Sequence, residues 1–194
     1  MPRRSSKAER PAGRPAGAGR TSARQARKGR TSARRARAGR TSAYEAGVRL
    51  LARRAHSTAE LRRKLARRGY EGDDVDGAVA RLSGLGYLDD AAFAAGHVRR
   101  RSAARGPLAL SAELAARGVE RRDADAALAR LDPASQLAAA TRLARRLAGN
   151  RRPAGYQELL GTVGSKLLRR GFSLGVAREA CRALWEGTAG PAEA

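Results

Sequence analysis

The sequence of 194 residues is poor in the residue types that cross-link chains, bind metals or span membranes. A single cysteine, Cys181, cannot form an internal disulfide, which fits a reducing cytosol. Two histidines and that cysteine are too few for a zinc site unless carboxylates supply the remaining ligands. No run of about 18 apolar residues occurs, and no continuous apolar segment follows the basic N-terminus. These absences predict a cytoplasmic protein with no membrane association and no secretory signal.

Aromatic residues make up only 4% of the chain, and most fall at predicted core or turn positions. A base-stacking platform needs exposed rings, so sequence-specific reading of bases is poorly supported. No phosphate loop of the GxxxxGK(S/T) type occurs. Neither His56 nor His97 has a nearby arrangement of Ser, Cys or Asp that suggests a nucleophile and a base, and Cys181 has the helical spacing of a core residue.

A group of aspartates could form a magnesium or nuclease site, but we interpret its members as helix caps, where negative charge is favoured. They are Asp73, Asp74, Asp76, Asp89 and Asp90. The sequence therefore predicts a protein that is not an enzyme and that needs no cofactor or metal.

What the chain has in excess is positive charge. It contains 41 Lys and Arg against 18 Asp and Glu, which gives a net charge of +23 and a pI near 11.7. Residues 1–43 hold 14 basic residues and one acid, and therefore carry +13. Residues 44–194 hold 27 basic and 17 acidic residues, and therefore carry +10. This excess indicates a polyanionic partner, either nucleic acid or an assembly formed on it.

The first 43 residues contain no Leu, Ile, Val, Phe, Tyr or Trp. Such a segment cannot bury enough apolar surface to offset its ordering entropy, so it is predicted to be a disordered basic tail. Within it, Gly-Arg-Thr-Ser-Ala recurs every ten residues from Gly19, which is low-complexity sequence. One interpretation is a flexible arm that contacts phosphates without sequence preference and weakens as salt rises. The other is a solubilising extension without a binding role.

From residue 44 the apolar period becomes helical. Three segments, Arg68-Gly69-Tyr70, Arg117-Gly118-Val119 and Arg170-Gly171-Phe172, each indicate a helix end followed by an apolar residue. Their glycines are 49 and 53 residues apart, which predicts three tandem units of three helices each. No segment is typical of a strand. The predicted fold class is all-α, with the stacked units forming an elongated, curved body.

The predicted boundaries follow from these units. The basic tail covers residues 1–43, the three units cover 44–88, 89–132 and 133–187, and a C-terminal tail covers 188–194. Helices are expected at Phe93–Arg101, Leu108–Arg117 and Ala124–Leu131 in unit two, and at Ser135–Ala148, Tyr156–Arg170 and Leu174–Trp185 in unit three. In unit one, Ser57 and Glu60 are predicted to form a capping box, and Asp73 or Asp74 to cap the third helix.

Basic residues are patterned on the predicted helices. Leu61 and Leu65 mark a buried stripe, which places Arg63 and Arg67 on the opposite side of their helix. One interpretation of such clusters is a surface that faces phosphates or an acidic partner. The alternative is favourable charge at helix C-termini on a solvated face. We take the first, and the candidate contact residues are Arg62, Arg63, Lys64, Arg67, Arg68, Arg99, Arg100, Arg101, Arg169 and Arg170.

Several stretches, taken in order, resemble the RecX family, the bacterial regulators of the RecA recombinase. They begin with the run Leu50–Ser57 and its continuation Glu60–Tyr70. The segment Gly86-Tyr87-Leu88-Asp89-Asp90 followed by Phe93-Ala94 is the most recognisable part. Segments Glu113–Val119 and Lys166–Ser173 resemble the family's second and third units, so the resemblance covers about residues 44–186.

The resemblance implies a three-repeat helical protein that binds in the groove of the RecA–DNA filament. It further implies modulation, mainly inhibition, of RecA ATPase and strand exchange, and hence a role in DNA repair, recombination and the SOS response. Two departures from the family pattern are Ala92, where a polar or basic residue is common, and Pro107–Ser111, which lacks basic residues. We expect a monomer that contacts DNA non-specifically through phosphates. The alternatives are a nucleoid-associated protein that coats DNA and a structural partner of ribosomal RNA.

Overall fold

The structure is a computed structural model that describes residues 41–150 and 153–187. Every described helix lies between Ala43 and Glu186. The predicted disordered tail, residues 1–43, lies outside the described residues except for its last three positions, and Ala43 already starts the first helix. The predicted C-terminal tail, 188–194, lies outside them as well.

The described residues form helices and turns without a strand, which confirms the all-α prediction. Unit one contains α1 (Ala43–Leu51), α2 (Thr58–Arg67) and α3 (Gly72–Gly84). Unit two contains α4 (Asp90–Arg101), α5 (Pro107–Ala116) and α6 (Arg121–Leu128). Unit three contains α7 (Pro133–Ala148), α8 (Tyr156–Leu159), a π turn (Leu160–Gly164), α9 (Ser165–Arg169) and α10 (Leu174–Glu186). Because α8, the π turn and α9 are continuous, they act as the second helix of unit three.

Four helices begin with a side-chain cap that accepts a hydrogen bond from the backbone N–H three residues later. The capping residues are Ser57, Asp89, Asp132 and Ser173. The predicted cap of α3 is wrong, because the helix begins at Gly72 and Glu71 occupies the cap position. Asp73 and Asp74 lie in the first turn instead, where their charge still favours the positive end of the helix dipole.

Each unit has its own small hydrophobic core. Its fully buried residues include Leu61, Leu65 and Leu82 in unit one, Leu110 and Leu114 in unit two, and Leu167, Ala177 and Cys181 in unit three. Cys181 is thus the core residue that its spacing predicted, and burial raises the pKa of its thiol. Because a small core supplies little stability alone, the contacts between units carry part of the fold.

Units one and two meet where the C-terminal end of α5 contacts the N-terminal end of α2. The Ser57 hydroxyl donates a hydrogen bond of 2.6 Å to the Arg117 carbonyl. The Arg63 guanidinium, six residues further along the chain, donates a bond of 3.2 Å to the Ala116 carbonyl. We call this contact junction one.

Ion pairs and a further cap surround junction one. The Thr58 backbone N–H donates to Asp90 at 2.8 Å, which ties the start of α2 to the start of α4. The Glu60 carboxylate binds Arg54 through two hydrogen bonds and lies 3.9 Å from the Arg117 guanidinium. The second half of the predicted capping box, from Glu60 back to the cap residue, is therefore replaced by these ion pairs.

Units two and three meet in the same way, and we call this contact junction two. The Gly106 backbone N–H, at the start of α5, donates a hydrogen bond of 2.9 Å to the Arg170 carbonyl at the end of α9. Leu108 N–H donates to the Gly171 carbonyl at 3.2 Å. The two backbones are so close that a Cβ on Gly106 would lie 2.3 Å from the Gly171 carbonyl oxygen.

Both junctions join the second helices of successive units head to tail. The last carbonyls of a helix and its first N–H groups have no partner inside that helix. At both junctions, carbonyls at the C-terminal end of one helix accept hydrogen bonds from the other helix, from side chains at junction one and from backbone N–H groups at junction two. The contact also brings opposite ends of the two helix dipoles together. The second and third Arg-Gly-apolar segments are therefore docking segments as well as helix ends.

The two outer ends of the series differ from the junctions. Gly69 has the same left-handed conformation (φ 82°) as Gly171 (φ 84°), but a Cβ on it would meet nothing within 4 Å. At the other end, the Glu158 carboxylate accepts a hydrogen bond of 2.7 Å from the N–H of Ala154, two residues before α8 begins. The series of head-to-tail contacts within the described residues thus spans three helices and two junctions.

The π turn in unit three is a feature that the predicted helix 156–170 lacked. Within it, a Cβ on Gly164 would lie 2.9 Å from Leu160 Cδ1 and 3.7 Å from Cys181 Sγ, so the helix approaches α10 closely here. The Thr162 hydroxyl donates to the Glu158 carbonyl at 2.8 Å. A π turn widens the helix over one turn, which keeps the apolar stripe but changes its register. The spacing of apolar residues in the sequence alone does not reveal such a turn.

We predict that Gly171→Ala destabilises the fold much more than Gly69→Ala. Both substitutions force a left-handed conformation on alanine, at a cost of about 1 kcal/mol. At Gly171 the new Cβ would also lie 2.2 Å from the Ala109 backbone nitrogen, so junction two must open, at a further cost of about 1–3 kcal/mol. Urea unfolding measures both free energies. Equal losses would show that the junction adjusts without cost.

Candidate nucleic-acid interface

The candidate cations of α2 divide into paired and unpaired side chains. Arg62 lies 3.2 Å from the Asp76 carboxylate, and Lys64 lies 3.9 Å from Glu60. Arg67 and Arg68 are exposed, and neither has an ion pair among the described residues. The end of α2 is therefore the part of this helix that is available for a phosphate.

Arg63 makes a structural contact that the sequence pattern did not predict. Its guanidinium is exposed but donates to the Ala116 carbonyl across junction one, so it holds two units together. The sequence pattern placed it correctly on the polar side of α2. The pattern could not show that unit two covers that side, because junction one joins residues 53 positions apart.

On α4, the three consecutive arginines also divide into side chains with and without an acidic partner. Arg99 and Arg100 are exposed and have no acidic partner among the described residues, and the Arg100 guanidinium lies beside Gly96 one turn earlier. Arg101 binds Glu113 on α5 at 3.1 Å, and Arg105 approaches the same carboxylate at 3.4 Å. Arg101 is therefore part of a packing contact between α4 and α5.

Glu113 also binds the buried His97, whose Nε2 lies 2.8 Å from its carboxylate. Burial raises the pKa of Glu113, but the hydrogen bonds from Arg101 and His97 outweigh it, so this pKa lies below its ordinary value. Burial lowers the pKa of His97 by more than Glu113 raises it. At neutral pH the imidazole is therefore neutral and donates its Nε2–H to the carboxylate.

His56 is the second buried imidazole. Its Nδ1 lies 2.8 Å from the Arg54 carbonyl and donates to it, which leaves Nε2 as an unprotonated acceptor. That atom is buried and has no hydrogen-bond partner among the described residues. Burial lowers the pKa of His56, so the unpaired nitrogen stays unprotonated at neutral pH. Both histidines are thus structural groups between helices.

In unit three, the candidate residues are found at junction two. Arg170 supplies its backbone carbonyl to Gly106, and its side chain is half-buried. Arg169 is exposed, and neither guanidinium has an ion pair among the described residues. The structure does not gather the ten candidates into one cluster, because they end three different helices and several are used in contacts between helices.

Sequence reasoning missed three arginines on α7. Arg142, Arg145 and Arg146 are exposed and, with Ala103 of unit two, line a cleft of about 450 Å³. They have no ion pair within the part of the chain that the structure describes. The signal was present in the sequence, because residues 133–187 carry ten basic and only three acidic residues.

Other site types are scarce in the described ranges. No group of three or more His, Cys, Asp or Glu residues there could hold a metal ion. No helix of those ranges is long and apolar enough to cross a membrane. The sequence offered no exposed aromatic ring for base stacking. In the structure, however, Tyr87 is 61% exposed beside the exposed Leu85, so this ring is accessible on the surface of unit one.

The exposed, unpaired arginines can bind phosphates by bidentate hydrogen bonds, which do not depend on base sequence. Together with the head-to-tail junctions, they define the class of the protein: an all-helical three-unit repeat protein with arginine-rich surfaces. Two family models match its first two units. The one described as RecX, first three-helix domain, matches residues 43–82, and the one described as RecX, second three-helix domain, matches residues 89–128.

Individual relatives agree with this class. The chain is 37% identical to a regulatory protein RecX of Thermus thermophilus over 135 residues, which cover 70% of this chain and 87% of the relative. It is 53% identical to a regulatory protein RecX of Xanthomonas oryzae over 64 residues, covering 32% of this chain and 40% of that relative. The chain thus spans less than half the length of the Xanthomonas relatives it matches. It belongs to the RecX family.

Solved structures share the fold. A crystal structure of a regulatory protein RecX superposes with a TM-score of 0.64 and 26% identity, covering 69% of this chain and 68% of the other. A RecX structure from Lactobacillus salivarius superposes with a TM-score of 0.66, covering 73% and 94% of the two chains, and at 22% identity it supports the fold alone.

We predict that Arg63→Ala destabilises the protein and that Arg67→Ala does not. The first removes the hydrogen bond to the Ala116 carbonyl and costs about 1 kcal/mol. The second removes an exposed cation without an ion pair and costs less than about 0.5 kcal/mol. Chemical denaturation of both variants makes the comparison. Equal free energies of unfolding would show that the Arg63 side chain does not stabilise junction one.

We also predict that stability falls as the pH drops below about 6.5, the ordinary pKa of histidine. Because the folded pKa values of His97 and His56 are lowered, the unfolded chain binds protons first and acid favours unfolding. Glu113, whose pKa is also lowered, adds its own loss only below about pH 4.5.

The measurement is urea unfolding at about pH 7.5 and about pH 5.5 for the parent and for His97→Gln. The variant should be less stable at the higher pH and should lose less stability between the two. A drop as large as that of the parent would assign the pH dependence to other groups.

Proposed function

We propose that this chain regulates a RecA-type recombinase by binding along its DNA filament and lowering its ATPase and strand-exchange activities. Membership of the RecX family supports the regulatory role, since the relatives are described as regulatory proteins. The observation that carries the proposal is the set of exposed, unpaired arginines on three units that are held head to tail. It includes Arg67, Arg68, Arg99, Arg100, Arg142, Arg145, Arg146 and Arg169.

Cations spread over several units suit an extended polyanion. A filament presents phosphates at regular intervals along its length, so a protein that contacts it through several units gains affinity from each contact. The contacts go to phosphates, and the protein reads no base sequence. In this proposal the chain acts as a monomer in the cytoplasm, has no catalytic residues and needs no cofactor.

A second candidate function is non-specific coating of DNA, and the charge of residues 1–43 favours it. That segment carries +13 and no large apolar side chain, so it can bind phosphates without any ordered partner. The two functions differ in what they require, because coating depends on total charge and filament regulation depends on the folded units.

The test is RecA ATPase on single-stranded DNA, titrated with the full chain and with a version lacking residues 1–43. We expect inhibition at protein amounts well below those that saturate the DNA, and we expect it to survive removal of the tail. Arg67→Glu should weaken the inhibition and leave helicity and stability unchanged, because this side chain makes no ion pair within the described residues.

The controls separate the two candidates. Doubling the DNA at constant RecA should leave the inhibition unchanged if the filament is the target. Inhibition that appears only when DNA is saturated, and that disappears with the tail, would support coating and reject regulation.

A further inference from the structure

The folded units do not share their positive charge equally. Residues 44–88 carry a net charge of +3, residues 89–132 carry +1, and residues 133–187 carry +7. Nine ion pairs of units one and two have their basic partner between Arg54 and Arg122, and none of the described basic side chains of unit three forms an ion pair within the described residues. Unit three therefore presents most of the uncompensated charge of the folded chain.

Part of this charge converges on one place. Arg142, Arg145 and Arg146 lie at positions i, i+3 and i+4 of α7, so they share one side of the helix. The other side of α7 is buried in the core of unit three through Ala139, Ala140, Leu143 and Ala144. The core fixes the rotation of α7, and the three guanidinium groups are thereby held on the outer side.

The wall opposite α7 belongs to unit two. Ala103, in the turn after α4, completes the lining of the cleft, and it is a small side chain that leaves the entrance open. Three residues later, Gly106 makes the backbone hydrogen bond of junction two. Because that junction ties unit two to unit three, the spacing between Ala103 and α7 is fixed before any ligand binds.

Among the described residues, neither an acidic side chain nor an aromatic ring lines this cleft. The arrangement costs stability in the free chain, since Arg142 and Arg146 are like charges one turn apart. Helix-dipole compensation accounts for cations in the last turn of α7, but Arg142 lies a turn earlier. Guanidinium groups bind phosphate in a bidentate manner, and the absence of a ring removes base stacking as a source of affinity.

We propose that the cleft between α7 and Ala103 is a binding site for the phosphodiester backbone of single-stranded DNA, with Arg142, Arg145 and Arg146 as the contact residues. The proposal rests on the function proposed above and names the site through which the regulatory protein contacts DNA. The site binds backbone phosphates irrespective of base sequence, and it is formed by two units rather than by one.

The test uses the full chain and a fluorescently labelled oligothymidylate, with the affinity measured by anisotropy over a range of salt concentrations. The variant is Arg142→Gln with Arg146→Gln. Its matched control is Arg178→Gln with Arg182→Gln, two exposed arginines also one turn apart, on α10 of the same unit and outside the cleft lining. Both variants remove the same charge and keep the same tail.

We expect the cleft variant to reduce the slope of log affinity against log salt by about 1.4, since each phosphate contact to a single strand contributes about 0.7. The control should change the slope by much less. Equal changes in the two variants would assign the binding to net charge and overturn the site.

A second readout locates the DNA directly. Cys181 is fully buried, so a cysteine introduced by Ala103→Cys can be labelled selectively with a photo-crosslinker. Ala126→Cys, an exposed position on α6, is the control. We expect DNA crosslinks from position 103 that exceed those from 126 and that the arginine substitutions suppress. Equal yields from the two positions would overturn the proposal.

RecA ATPase inhibition measured in parallel keeps the two proposals apart. If the cleft variant loses inhibition and keeps the parent's salt slope, the arginines contact protein and the phosphate site is wrong. If the parent chain binds DNA with the expected slope difference but does not inhibit RecA, the site stands and the regulatory function fails.

Discussion

The fold depends on the head-to-tail contact between the second helices of successive units. At junction one the Arg117 carbonyl accepts from Ser57, and at junction two the Arg170 carbonyl accepts from the Gly106 N–H. Each contact pairs groups that a helix end cannot satisfy alone. Since each unit buries only a small core, these contacts decide how the units are held and therefore where their surfaces lie.

The junctions also decide which cations are available for a ligand. Arg63 and Arg101 look equivalent to their neighbours in the sequence, yet the first donates to a carbonyl of the next unit and the second binds Glu113. These contacts hold the two guanidinium groups in place, whereas Arg67 and Arg99 have no such partner among the described residues. Arginine thus serves both to hold helices together and to bind a ligand. Its position relative to the junctions decides which of these two roles a given arginine has.

Much of the fold could be predicted from the sequence because its signals are local. Apolar spacing, capping residues such as Ser57 and the glycine that ends each second helix identify three-helix units, and the structure and the family comparisons bear this out. The predicted contact residues remain a prediction, and the cleft on α7 was not among them. Charge runs drew attention to helix ends, whereas Arg142, Arg145 and Arg146 are separated along the chain by core residues and converge only with Ala103 of another unit.

The sequence by itself determined the helical class, the number of units, the burial of Cys181 and the basic character of the surface. These follow from residue periodicity and composition, which act over one or two helical turns. Only the tertiary structure decided that the Arg-Gly segments dock on the preceding unit, that α9 follows a π turn, and which arginines lie unpaired in a cleft. The docking and the cleft depend on contacts between residues about 40 to 60 positions apart, and no local pattern encodes such distances.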